Sequence, residues 1–555
     1  MLIGIDVGGT TTDAVIVDGG RVVKTAYVPT DHGNLLKCLL SALDELVRGI
    51  DTRKIERVVL STTLITNMIA EGKTDPVALV LIPGPGTNPR DYALGESTIL
   101  DGAIDFRGNE IDKLKEDQIK EAASRIRARG LSRVAVVGKF CQRNHSHENK
   151  VGEIMAAALP GGKIELGHRV SGQLNFPRRA ATTMLTAATK DSYDLFARDV
   201  AKALKDRRIN SPVYILKADG GTLPLDKSVQ MPVETIFSGP AASIMGVMAL
   251  TDPGQSSVIV DIGGTTTDLA LILSGKPLLS AKGAKVGSLL TQVRAFAVKS
   301  IAIGGDSAVA VSGGFLSIGP HRDGPPLCMG GNSPTPTDAL SVLGLTSIGD
   351  LSLAERAMHT VAGSLGCTAK EAATKVVDAV VDRIVLEING MFREWEQEPA
   401  YRIWEIMSRE SLSAQNVVGV GGGAPTLVPL VAARLKARAV VPEYAPVANA
   451  IGAAVARPTL TLNLHIDTES KMYSVAEDGL TGKVSDPKMS AEDAESLARK
   501  LLAERAELLG ISEYAAEAEV TYSEVFNMIR GWSTVGRLMD VRMEIPAGLL
   551  PSWEW

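Results

Sequence analysis

Short apolar runs punctuated by Gly-rich turns recur along this chain and predict strands, and longer segments with apolar residues at helical spacing lie between them. The opening reads as a three-stranded meander: Met1 to Ile5, Ala14 to Val17 and Arg21 to Val28, with turns at Gly8-Gly9 and Asp18-Gly19-Gly20. Leu35, Leu36, Leu39, Leu40, Leu43, Leu46 and Val47 predict a helix that stops before Gly49. Strands are expected at Val58 to Leu60, Val77 to Ile82, Val134 to Val137 and Val213 to Leu216, and helices at Glu116 to Arg129 and Pro177 to Leu204. The polar, Gly/Pro-rich stretch from Pro83 to Gly108 reads as surface loop or a small insertion.

The second half repeats the opening pattern. Val258 to Val260 and Leu269 to Leu273 flank another glycine turn, and His321 to Thr337 reads as an irregular loop near a site or a domain surface. Lys370 to Met391 carries Val376, Val377, Val380, Val381, Ile384, Val385 and Ile388 on one side of a long helix. A strand through Val417 and Val418 runs into Gly421-Gly422-Gly423 and a helix from Thr426 to Lys436, and Asn449 to Ala454 reads as a small-residue helix. From about Pro458 the texture changes to strands at Thr459 to Ile466 and Lys471 to Val475. A helix capped near Ser490 and running to Leu509 follows, then an alternating hairpin over Val520 to Met528 and Arg537 to Ile545.

Composition narrows the class. At 555 residues the chain exceeds a single core, and 45% hydrophobic with 22% charged residues is the balance of a soluble globular protein. The net charge of −6, with no Lys/Arg-rich block, gives no footprint for nucleic acid or an acidic membrane surface. The chain passes straight into its first strand, so no secretory signal is expected. The apolar window Thr235 to Thr251 is broken by Gly239, Pro240 and Gly246 and reads as buried rather than membrane-spanning. Cys38, Cys141, Cys328 and Cys367 lie far apart, which suits reduced thiols in a cytoplasm.

The chemistry lies in a repeat. Asp6-Val7-Gly8-Gly9-Thr10-Thr11-Thr12-Asp13 recurs as Asp261-Ile262-Gly263-Gly264-Thr265-Thr266-Thr267-Asp268, identical at seven of eight positions. Glycines let backbone N–H groups approach an anion, threonine hydroxyls add donors to phosphate oxygens, and an aspartate at a strand end can hold Mg²⁺ directly or through water. A strand follows the glycines and no Lys-Ser/Thr is present, so neither a Rossmann turn nor a P-loop is implied. Gly304-Gly305-Asp306-Ser307 is a third such turn, open to a structural or a phosphate- and metal-contacting role. Gly421 to Gly423 is a backbone that can lie against a nucleotide. Asn144-His145-Ser146-His147-Glu148 reads as a polar loop capping the next helix, with metal ligation the rarer alternative.

Two Asp-x-Gly-Gly-Thr hairpins followed by a Gly-Gly-Gly turn resemble the superfamily of actin, sugar kinases and heat-shock chaperone ATPases. Further motifs resemble one branch of it, the hydantoinase A and 5-oxoprolinase family. These are Ser61-Thr62-Thr63-Leu64-Ile65-Thr66-Asn67, His147-Glu148, Asp219-Gly220-Gly221, Ser238-Gly239-Pro240-Ala241-Ala242, Gly304-Gly305-Asp306-Ser307 and Thr337-Asp338-Ala339. The resemblance spans roughly residues 1 to 455. It implies an α/β fold of two ribonuclease-H-like, actin-like lobes around a nucleotide cleft, over 1–185 and 186–457, with a small C-terminal α+β region over 458–555. It further implies ATP and Mg²⁺ as cofactors, with Asp6 and Asp261 as metal and catalytic residues. Gly8, Gly9, Thr10, Thr11, Thr12, Gly263, Gly264, Thr265, Thr266 and Thr267 would hold phosphate, and Gly421, Gly422 and Gly423 would face adenosine. Asp13 and Asp268 would be metal outer-sphere or turn-fixing residues. Gly304 and Gly305 join the cofactor-binding set and Asp306 the catalytic one.

The activity implied by this resemblance is ATP-driven phosphorylation of an oxygen on a small carbonyl or cyclic amide, which activates it for hydrolysis, with a hydantoinase B-like second subunit as partner. Three motifs depart from the family, one of them Arg178-Arg179 where Glu-Arg is common before the Thr-Thr helix. Leu60-Ser61-Thr62-Thr63 stands where His-Gly-Thr-Thr is common, and Lys299-Ser300-Ile301-Ala302-Ile303-Gly304-Gly305-Asp306-Ser307 stands where His-Thr-Val-Gly-Ala-Gly-Gly-Gly-Ser is common. Two other readings remain open: an ATP-driven activator or reactivase of another protein, and a small-molecule kinase with Asp219 or Asp306 as its cleft carboxylate. Homo-oligomerisation is open as well.

Overall fold

The computed structural model describes residues 1–553 apart from 32, 93, 253–255, 320, 398–412 and 487. The duplicated sequence builds a duplicated sheet. In the first lobe, Leu2–Val7 pairs antiparallel with Thr11–Asp18 and parallel with Arg57–Thr62, and the full order is 222–224, 213–216, 57–62, 2–7, 11–18, 21–29. In the second lobe, Ser257–Ile262 pairs antiparallel with Thr267–Leu273 and parallel with Asn416–Val420, which neighbours Arg438–Val440. The registers coincide: Asp6 stands opposite Asp13, and Asp261 opposite Asp268. Equal spacing of alternating residues about equal turns forces this, because a strand period of two fixes which face each side chain takes.

Each sheet is covered on both faces. Helices Leu35–Val47 and Phe176–Asp206 bury Leu39, Leu43, Leu46, Phe196 and Val200 against Ile3, Ile5 and Ile16. In the second lobe, Ala369–Glu396 presents the predicted valine stripe to Val258, Val260, Leu269 and Leu271. Between the two sheets lie Ser238–Leu250 and Ala448–Val455, built almost wholly of Ala, Gly, Ser and small aliphatics. They touch at backbone range: a Cβ on Gly246 would stand 2.2 Å from Ala448 O, and one on Gly452 2.3 Å from Ala242 O. The sequence window read as buried rather than spanning is this first helix. No helix among the described residues is long and apolar enough to cross a membrane.

An insertion in the first lobe forms its own four-stranded parallel sheet, ordered 163–166, 133–138, 77–82, 97–99. The stretch Pro83 to Gly108, read as loop, therefore contains the edge strand Ser97–Ile99 and buried Leu100, Ala103 and Ile104. Three-residue and two-residue strands are too short to leave a periodic signal. The boundary expected at residue 185 falls inside helix Phe176–Asp206, and strands Val213–Leu216 and Thr222–Pro224 belong to the first sheet. The C-terminal region is a five-stranded antiparallel sheet under helix Ala491–Leu509. It is fastened to the first lobe through Arg107, paired with Asp467 and Glu469 at 2.8 Å each.

Candidate active site

Because both hairpins end at the same edge of their sheets, the two octapeptides face one another across a cleft of about 2420 Å³. Their turns are closed identically: Gly8 N–H donates to Thr11 O, and Gly263 N–H to Thr266 O, each at 3.0 Å. Gly8, Gly9, Thr10, Thr11 and Asp13 line one wall, and Gly263, Gly264, Thr265, Thr266 and Asp268 the other. The loops approach closely, since a Cβ on Gly264 would stand 2.9 Å from Thr10 Oγ1. Thr12 and Thr267 are turned away from the cleft. Thr12 is buried with its hydroxyl 3.0 Å from Thr30 Oγ1, and Thr267 donates to Ile303 O at 2.7 Å. The third hydroxyl of each triplet is thus structural, as strand alternation requires.

The third glycine turn is a brace for the second. Gly305 N–H donates to Gly263 O at 3.0 Å and Asp306 N–H to Gly264 O at 2.7 Å. Gly304 sits beneath, where a Cβ would lie 2.5 Å from Gly263 O, so its role is close packing. Asp306 does reach the cleft, held by Arg322 Nη2 at 2.8 Å. Burial raises its carboxyl and Arg322 opposes that. Gly421 takes φ +82°, and a Cβ there would stand 2.5 Å from Asp261 Oδ1. Gly421, Gly422 and Gly423 all line the cleft.

Four carboxylates, Asp6, Asp13, Asp261 and Asp268, line the cleft about the two turns. Asp6 is 3% exposed and burial pushes its carboxyl up to about 6, with Asp261 adding to the effect. Burial likewise raises Asp13 to about 8 and Asp268 to about 7, and raises Asp261. Asp6 Oδ1 is buried with no protein hydrogen-bond partner. Buried like charges of this kind are stabilised by a cation. Among the described residues no three His, Cys, Asp or Glu side chains converge as a chelating set. Carboxylates with one unpartnered buried oxygen would suit a hard divalent cation such as Mg²⁺ held through one or two carboxylate contacts.

Several polar groups of the site gave no clear sequence signal. Asn449 reaches both jaws, its Nδ2 lying 3.4 Å from Asp6 Oδ2 and 3.2 Å from Asp261 Oδ2. Ser243 donates to Asp261. Lys299 pairs with Glu387 at 2.9 Å and Glu394 at 3.2 Å on the cleft wall. Other motif residues are structural. Asp219 is buried, accepts from Gly221 N–H and Thr459 Oγ1 at 3.0 Å each, and lies outside the cleft lining. Asp338 closes a capping box at Thr335 and also accepts from Cys328 N–H at 2.7 Å, tying the 320s loop to its helix.

Glu148 is fully buried, accepting from Gly138 N–H, His168 N–H and His168 Nδ1 at 2.8, 2.7 and 2.6 Å. The His145-x-His147-Glu148 run is thereby a core staple of the insertion. Asn144 Oδ1 accepts from Ser146 N–H at 3.0 Å where helix Ser146–Ala158 begins, so the run does cap that helix, and it assembles no metal site among the described residues.

Two α/β lobes with duplicated glycine–threonine turns facing one cleft define an actin-like fold. Residues 2–159 match the hydantoinase/oxoprolinase N-terminal region and residues 179–461 match hydantoinase/oxoprolinase, so the chain belongs to the hydantoinase/oxoprolinase family. The alpha subunit of caprolactamase from Pseudomonas jessenii is 26% identical over 385 residues, which are 63% of this chain and 55% of that protein. The beta subunit of acetone carboxylase from Xanthobacter autotrophicus is 22% identical over 360 residues, 58% of this chain and 49% of that protein. An uncharacterized protein of Methanocaldococcus jannaschii is 25% identical over 463 residues, 76% of this chain and 65% of its own length. The chain thus spans between 49% and 65% of the length of these curated relatives. Among solved structures, nucleotide-free acetone carboxylase aligns with a TM-score of 0.74 at 17% identity, over 99% of this chain and 87% of that one. ATP-dependent caprolactamase from Pseudomonas jessenii aligns at 0.72 and 20% identity, over 98% and 87%. These two likenesses show the fold.

Proposed function

We propose that this protein is a Mg-ATP-dependent enzyme that phosphorylates, and so activates, a small carbonyl or cyclic amide compound. The observation that carries this reading is the pair of superimposable turns, each with two register-opposed carboxylates, facing one cleft whose third wall is Gly421 to Gly423. Backbone N–H groups and threonine hydroxyls at Gly8 to Thr11 and Gly263 to Thr266 hold and orient the phosphates. Asp6 and Asp261 would hold the metal, which would supply charge neutralisation for the transferred group. The substrate oxygen attacks the γ-phosphorus and ADP leaves. For a cyclic amide, water then adds to the activated carbon and the C–N bond breaks with the amine leaving protonated. A second water hydrolyses the resulting acyl phosphate to carboxylate and phosphate. Positioning and charge neutralisation supply the acceleration.

Relatives described as subunits, the caprolactamase alpha and acetone carboxylase beta chains, support a partner subunit for this chain as well. The four free cysteines, three of them buried, support a reducing cytoplasm. Phosphate release measured on protein purified with its native partners, against a panel of lactams, hydantoins, ketones and carboxylates, tests the reading. Stimulation by one chemical class is expected. Hydrolysis indifferent to every compound and accelerated by a protein overturns it in favour of an ATP-driven activator, and a stable phosphorylated product would indicate a kinase.

A further inference from the structure

Helix Ala448–Val455 has a single polar residue, Asn449, and that side chain does not cap its own helix. Its Nδ2 instead lies within 3.4 Å of Asp6 and 3.2 Å of Asp261, one carboxylate from each lobe. The helix is seated on the first sheet with no slack: a Cβ on Gly4 would stand 1.9 Å from Ala450 O. The helix rests on Leu2–Val7 and Thr11–Asp18 of the first sheet, so the bond from Asn449 to Asp261 is the one that reaches the second sheet. We propose that Asn449 is a positioning residue that latches the two jaws together, holding Asp6 and Asp261 at the separation at which one metal–nucleotide contacts both. The inference rests on the assignment of this cleft to Mg-ATP.

The choice of side chain follows from charge. A primary amide offers two N–H donors, so it can serve two carboxylates at once, and it brings no charge of its own. A lysine in its place would cancel one of the two charges and compete with the cation. Asn449 fixes the carboxylates while leaving their charge for the ion, and it leaves Asp6 Oδ1 unpartnered inside the site. Opening of the lobes breaks the bond to Asp261, so the latch favours the closed state before substrate arrives.

Two variants test the latch. Asn449→Asp is isosteric but adds an anion and loses the donors, and Asn449→Ala removes the contact without adding charge. Small-angle scattering and limited proteolysis on the full chain, free of metal and nucleotide, are the first readout. Both variants should be more expanded and more readily cut than the parent, the Asp variant more so than the Ala variant. Steady-state phosphate release should then show kcat reduced by about 10²-fold in both, from misplacement of the jaws. Circular dichroism checks that each variant is folded. Ligand-free dimensions and cleavage rates identical in all three proteins overturn the proposal. Asp6→Ala and Asp261→Ala are titrated with Mg-ATP in parallel. If these bind as the parent does, the site itself is misassigned. If they lose binding while both Asn449 variants remain closed, only the latch fails.

Discussion

Asp6 and Asp261 are placed at corresponding strand ends by the same eight-residue pattern, Asp6 buried and Asp261 half-buried. Truncating either to Ala should abolish the protection from proteolysis that Mg-ATP confers on the parent, because ligand held between two lobes favours closure. Unchanged protection in both would remove them from the site. Gly421 is constrained in a different way. With φ +82° and a Cβ position 2.5 Å from Asp261 Oδ1, Gly421→Ala should cost about 1–3 kcal/mol of stability and displace the carboxylate. Chemical denaturation and nucleotide titration would show both losses. At the third turn, Arg322→Gln leaves Asp306 unpaired beside Gly264, and nucleotide affinity should fall. The double variant carrying Asp306→Asn as well should recover most of it, and failure to recover would mean that Arg322 acts on the nucleotide independently of Asp306.

At the scale of elements, helices Ser238–Leu250 and Ala448–Val455 decide how the two sheets are set against each other. Their Gly and Ala faces meet at backbone distance, so a single added methyl has nowhere to go. Gly452→Ala should destabilise by about 1–3 kcal/mol through overpacking, with a raised KM for ATP because the helix carrying Asn449 shifts. A thermal melt paired with steady-state kinetics would separate the two effects. The same scale shows what short polar motifs leave open. Glu148 and Asp338 are carboxylates in short polar runs, which sequence cannot distinguish from ligands. Only the fold shows that backbone N–H groups satisfy them. The strand Ser97–Ile99 was invisible for a related reason: it exists because Val77–Ile82 offers an edge to pair with.

For the molecule as a whole, the cleft carries a pH dependence of definite sign. Burial raises Asp13 to about 8 and Asp268 to about 7 from an ordinary value of 3.8. The folded state then keeps protons that the unfolded chain releases, so these groups reduce ligand-free stability as pH rises from about 4 to about 8, with no further change above. Melting temperature followed over that range should fall for the metal-free protein. Asp13→Asn with Asp268→Asn should flatten the profile. Persistence of the full slope in that double variant would assign it to other groups.

The repeated octapeptide was legible in the linear sequence, and with it the strand–turn–strand units, because strand alternation and glycine geometry are local and need no partner to be read. The valine stripe of Ala369–Glu396 and the small-residue helices were legible for the same reason. What the tertiary structure alone decided is which polar groups face one another. It turned Thr12 and Thr267 inward, made Gly304 a brace, set Asp219 and Glu148 into the core and brought Asn449 between two aspartates that lie 255 residues apart in the chain. These outcomes depend on sheet order and helix packing. Such contacts join residues distant in sequence, and no periodicity along the chain encodes them.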